Sequence, residues 1–298
     1  MTRSVWIAFS TLCLLSASAW AATSFRPSRL PSLEEQGLLL LVLGLGGVPF
    51  AVRGVPSANR GRARLRLAMA GLGFFAVPAL AIEFASGYVP EISRSALFAM
   101  VPVVVIVVLS ASEIGASGER GAIRSLVPAL IGLSGLLLLL PLDFSGGNRG
   151  RLMLAIVAVA VIVAGASSVW LFRLLQGVSL SQSVMLVCIP NAALLLIAGA
   201  GTGSLVWDAA DLGSLFSPAS LIDLAEVLLL LWLLPRMPPV AFSSRYLVIP
   251  LVTVLEGYLL MRPELTVRIG GGFVLLAVGS ALLLFPQRSD EDIVLSLR

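Results

Sequence analysis

The stretch Leu152-Met-Leu-Ala-Ile-Val-Ala-Val-Ala-Val-Ile-Val163 continues without a charge as far as Phe172. Strands of a membrane β-barrel alternate apolar and polar residues in segments of about ten, and this run does not alternate. It is long enough to cross the hydrocarbon core as a helix, which takes about 20 residues. Similar, nearly uncharged runs recur outward from it in both directions. They cover residues 4–22, 37–52, 67–85, 95–114 and 125–142, then 152–172, 183–201, 216–234, 240–261 and 269–286. Pro, Gly, Asn and Arg punctuate the breaks. The pattern predicts an all-α, polytopic membrane protein with ten transmembrane helices.

The composition agrees. Of 298 residues, 58% are hydrophobic and 12% charged, and the mean hydropathy is +1.02. An ordinary soluble domain is about a quarter charged and just under half apolar. A compact soluble domain must present a polar surface, so a soluble enzyme, a disordered chain and a nucleic-acid-binding module are all excluded. All twenty basic residues are Arg, with no Lys and no His. Schiff-base lysines, Ser-His or Cys-His catalysis and His-metal sites are therefore absent, and neither a cofactor nor a metal is expected. The arginines are scattered over short loops, which gives no nucleic-acid partner. Cys13 and Cys188 lie within apolar runs and read as packing residues.

The first run, after Met1-Thr2-Arg3, has the look of a secretory leader ending in small residues. Its length favours a retained first helix. With ten spans both termini share one side, and that side carries thirteen arginines against seven on the other. The bias places both termini in the cytoplasm and the 143–150 loop outside. The expected location is the cell (plasma) membrane, as a multi-pass protein of the bacterial inner membrane. Monomer and homodimer remain open.

The chain divides into residues 1–143 and 150–286, five spans each, followed by a cytoplasmic tail over 287–298. Pro102 is followed by Glu119 and by a glycine-containing run ending at Pro141; Pro250 is followed by Glu264 and another such run ending at Pro286. The spacings are 17 and 22 residues in the first copy and 14 and 22 in the second. An odd number of spans per copy forces the copies into opposite orientations. That is the inverted-repeat plan of many secondary transporters, which bind near the midplane between repeats.

The segments Ser93-Arg-Ser-Ala-Leu-Phe-Ala-Met-Val-Pro102 and Ser243-Ser-Arg-Tyr-Leu-Val-Ile-Pro250 resemble the drug/metabolite transporter superfamily, specifically its EamA-like members. Glu119 and Glu264, and Gly132 with Gly135 and Gly272 with Gly279 in the helices that follow, match the same pattern. The resemblance implies ten helices in paired repeats and movement of small metabolites or drug-like solutes, by a transporter and not an enzyme. Its partners would be a small-molecule substrate and the lipid bilayer.

Asp223 and Glu226 are the sharpest candidate site. Only nine residues separate Glu226 from Arg236, so a spanning helix must extend back through both acids. They are three apart and share a helix face. A charge at the helix centre costs about 2.5–3.5 kcal/mol, so two acids without a task are unexpected there. They could bind a substrate amine or couple transport to protons; the alternatives are a structural ion pair with Arg245 or Arg94, or a helix that begins later at a water-filled rim. Glu83 and Glu256 lie nearer span ends, where they line a vestibule or reach interfacial water. Arg245 reads as substrate-binding or as snorkelling to the surface. Pro190-Asn191 reads as an interruption of the seventh span, with Asn191 bonding either substrate or another helix. Pro102, Pro190, Pro250 and Trp170 are expected to shape the cavity. Asp208 and Asp211 have the wrong spacing for a magnesium motif. Two other readings stay open: a non-transporting scaffold or sensor, and an intramembrane enzyme working through acids alone.

Overall fold

A computed structural model describes residues 2–23, 30–51, 60–112, 116–140, 147–202, 207, 212–213, 215–262 and 266–285. Asp208, Asp211, Glu264, Pro141, Pro286, residues 143–146 of the 143–150 loop and the 287–298 tail lie outside the described residues, as does the side chain of Glu119. The described chain is helical and contains no strand. In order the helices are α1 (Arg3–Thr23), α2 (Ser32–Ala51), α3 (Arg60–Phe74), α4 (Ala76–Ala85), α5 (Glu91–Phe98), α6 (Val101–Ser112) and α7 (Ala116–Leu139). They continue as α8 (Gly147–Leu174), α9 (Leu180–Thr202), α10 (Pro218–Leu233), α11 (Pro239–Ser243), α12 (Arg245–Met261) and α13 (Val267–Leu284).

Among the described residues every apolar run is largely helical. Among the described residues seven segments are long and apolar enough to cross a bilayer: Ser32–Ala51, Gly61–Ala85, Glu91–Ser112, Gly147–Leu174, Leu180–Gly201, Pro239–Met261 and Val267–Leu284. The remaining runs give two shorter apolar stretches, Arg3–Ala19 and Arg124–Leu139, and α10 with 16 residues. Large apolar side chains such as Ile7, Phe50, Val159 and Ile197 are exposed on the outside, as expected of a protein whose solvent is lipid. The chain is membrane-embedded.

The breaks differ from the sequence expectation. α9 runs unbroken through Pro190; the interruptions fall in the third, fourth and ninth runs, between α3 and α4, α5 and α6, and α11 and α12. Pro78 has no N–H for the Phe74 carbonyl, and Phe75 leaves the ideal helix at φ −107°. The amide of Ala76 turns to another helix and donates to Asn191 Oδ1 at 2.9 Å. Asn191 Nδ2 in turn donates to the Val187 carbonyl at 2.7 Å. Asn191 is fully buried, so it acts as a clamp between α9 and the break and is not open to a solute. Asn191→Ala would strand the Ala76 amide. The expected loss is about 1–3 kcal/mol in detergent unfolding, with Asn191→Asp, which keeps the acceptor, closer to the parent.

Two antiparallel pairs, α2 with α9 and α7 with α13, make the most extensive contacts. Glycine permits both. A Cβ on Gly44 would meet Ile189 Cγ1 at 2.7 Å, and one on Gly135 would meet the Leu276 amide at 2.5 Å. α8 packs on α3, α4 and α6, while α1 packs on α10 and α12. Trp6 of α1 stacks on Phe285 beyond α13, with ring centroids 5.2 Å apart. Gln176 Nε2 donates to the Pro235 carbonyl at 3.0 Å, and Arg173 Nη2 to Ser112 Oγ at 2.8 Å. These bonds bring the ends of α6, α8 and α10 to one rim of the bundle.

Candidate functional site

α10 starts where its sequence says it should. Ser217 caps it by accepting from the Ser220 amide at 3.2 Å, and Pro218 fills the first turn. Counting from there, Asp223 and Glu226 fall on one face in the second and third turns. That face borders a cavity of about 290 Å³ lined by polar Gln36, Asp223 and Glu226 and by apolar side chains including Leu40, Phe75 and Leu230.

Glu226 accepts a hydrogen bond from the Ser16 hydroxyl of α1. Its Oε1 is buried and has no hydrogen-bond partner among the described residues. Asp223 and Arg245 lie within electrostatic range of it. A carboxylate oxygen left bare in the wall of a largely apolar cavity is an acceptor for an ammonium group or a proton.

Arg245 does not snorkel. It is 5% exposed and turns into the bundle, where aromatic faces take the place of headgroups. Its guanidinium carbon lies 4.1 Å from the centre of the Phe242 ring, 4.6 Å from Tyr246 and 5.2 Å from Phe74. Nη2 donates to the Tyr246 hydroxyl at 2.8 Å, and Nη1 is buried without a hydrogen-bond partner among the described residues. Helices α1, α3, α10 and α12 thus bring an acid and a base with unused hydrogen-bonding capacity into one interior region.

No family model matches the chain, and no curated protein matches it in sequence. One solved crystal structure of a protein shares the fold with a TM-score of 0.72, covering 95% of this chain and 98% of that one at 17% identity. At that identity the likeness concerns the fold alone.

The other candidates are dispersed. Glu83 accepts from Ser32 Oγ at 2.5 Å near the ends of α4 and α2. Glu256 accepts from Ser18 Oγ at 2.7 Å, between α12 and α1. Pro102 opens α6, while Pro250 sits inside α12. Trp170 is 61% exposed on the outer face of α8; the small residues Ala164, Ser167 and Ser168 take the inward positions. Arg94 donates to the Ile82 carbonyl at 2.8 Å.

Ser16, Gln36 and Glu34 are missing from the sequence reading. Glu34 is fully buried. Its Oε2 accepts from Trp207 Nε1 at 2.5 Å, and its Cγ packs where a Cβ on Gly199 would come within 2.7 Å. The available signal was Glu34-Glu35-Gln36 at the head of an apolar run, which reads equally well as acids favoured at a helix N-terminus.

Proposed function

We propose that the protein is a secondary transporter that moves a small metabolite or drug-like solute across the cell membrane by alternating access. The observation that carries this reading is the cavity whose wall holds Glu226 with a buried, unpartnered oxygen. In a bilayer, an ionisable group kept in that condition calls for a ligand that visits it. Glu226 with Asp223 would bind a cationic group or exchange a proton, and Arg245 would set the local field. No chemical step on the solute is part of this reading.

The architecture behind it is ten helices in two inverted repeats, on the EamA-like plan of the drug/metabolite transporter superfamily. The packing supports this. Exchanging each apolar run with the one five places on maps α2 on α9 and α7 on α13 onto themselves. The same exchange carries the α3–α8 contact to α10–α1, α6–α8 to α12–α1, and α6–α7 to α12–α13, and all of these contacts occur. Phe98 and Tyr246, each four residues before Pro102 and Pro250, stack with centroids 6.2 Å apart and planes 20° apart. Residues equivalent under a two-fold axis touch only where they lie near it, so that stack supports an axis there.

The direct test is reconstitution into proteoliposomes carrying a pH gradient, with uptake and efflux measured for amino acids, nucleosides and cationic drugs. Movement of a solute above protein-free vesicles supports the reading; none in either direction, from protein shown to be folded, supports a scaffold or sensor. The arginine bias supports cytoplasmic termini. A cysteine placed by Asn148→Cys, with Cys13 and Cys188 replaced by Ser, should then label in intact cells; labelling only after permeabilisation would overturn that topology.

A further inference from the structure

A second feature lies on the outer surface, away from the Glu226 cavity. Gly73 of α3 packs against Ser167 and Val163 of α8, so the first turns of α3 run beside the last turn of α8. Between them opens a groove of about 470 Å³ lined by Leu65, Arg66, Met69, Trp170, Arg173 and Leu174. Its apolar members face outward: Leu65 is 63%, Met69 59% and Trp170 61% exposed. Arg66 and Arg173 both stand on this groove, and Ser112 Oγ accepts one bond from Arg173 and steadies its fork. Arg62 and Arg64 are exposed on the preceding turn of α3.

A bare apolar groove in a membrane fills with any acyl chain. Two arginines bordering one groove add a preference, because the planar guanidinium fork matches phosphate oxygens and attracts anionic headgroups. An exposed tryptophan at the same level is the side chain that favours the headgroup boundary. We propose that this groove is a binding site for an anionic phospholipid. Its phosphate rests on Arg66 and Arg173, and one acyl chain lies along Leu65, Met69, Trp170 and Leu174. Arginines that merely snorkel to mark topology would show no such site, since any membrane surface serves them.

The test uses the full chain in detergent micelles, titrated with phosphatidylglycerol or phosphatidylcholine carrying brominated acyl chains, with tryptophan fluorescence as the readout. Phosphatidylglycerol should quench saturably and at lower concentration than phosphatidylcholine, and Trp170→Phe should remove the saturable part. The double variant Arg66→Gln/Arg173→Gln should weaken phosphatidylglycerol about thirty-fold, the product of two arginine contacts. Arg149→Gln with Arg151→Gln, at the other end of α8, should leave the titration unchanged. All four arginines are exposed or border open space, so melting of the variants should match the parent. Equal curves for the two lipids, or an unchanged curve for the Arg66/Arg173 variant, would overturn the proposal. Displacement of the brominated lipid by inorganic phosphate alone would overturn it in favour of a free-anion site.

Discussion

Glu226→Gln is expected to reduce solute movement to the background of vesicles without protein, while the protein stays folded and inserted. The amide keeps the size of the side chain and an oxygen for the Ser16 hydroxyl. What it removes is the charge, and with it the ability to hold an ammonium group or a proton at the unpartnered Oε1. Asp223→Asn, one turn away, should act in the same direction or move the pH at which transport is fastest. A purely structural role makes the opposite forecast. If Glu226 served to neutralise Arg245, its loss would leave an uncompensated buried charge and destabilise the fold by about 3–5 kcal/mol. Thermal melting alongside flux measurements separates the two. Full transport by both amide variants across roughly pH 5 to 8 would end the hypothesis.

The largest expected effect on stability comes from a single methyl group. A Cβ on Gly279 would collide with the Gly132 amide nitrogen, and would lie 2.5 Å from Gly132 Cα and 2.7 Å from the Pro128 carbonyl oxygen. Those are backbone atoms, so no rotamer change relieves the clash; α7 and α13 must move apart. Gly279→Ala should therefore cost about 3 kcal/mol, the upper end of ordinary overpacking. Gly271→Ala on the same helix is the control. Nothing lies within 4 Å of a Cβ there, and alanine should gain up to about 1 kcal/mol of helix propensity. Denaturant unfolding in mixed micelles measures both. Equal stability of the two variants would mean that the seam is loose enough to admit a methyl group.

Helical character is legible in this sequence because each apolar run is long, nearly uncharged and bounded by Pro, Gly or Arg. The pairing of Asp223 with Glu226 is legible too, since a three-residue spacing in a helix fixes a shared face. Three other features are not. Arg245 stands near the start of an apolar run, where a side chain has two physical solutions, headgroups or an aromatic interior. Only the positions of Phe74, Phe242 and Tyr246 in space choose the second. The break was expected at Pro190, but proline in a helix is tolerated where its neighbours accommodate it, and the chain yields beside Pro78 instead. Ser16 and Glu34 escaped because a serine in an apolar run and an acid at a helix start each have commoner uses.

The clamp at Asn191 makes one amide of the third run unlike its neighbours. Flanking amides hold to their own backbone, as Phe75 does to the Gly71 carbonyl at 2.9 Å and Ala79 to the Phe75 carbonyl at 3.2 Å. Ala76 holds to a side chain on α9. Its deuterium uptake therefore tracks the separation of two helices and not the fraying of one. If the protein alternates between two conformations as proposed, that single peptide group is a built-in displacement gauge. If α9 and α4 travel together, Ala76 stays protected throughout the cycle; if they part, it exchanges first.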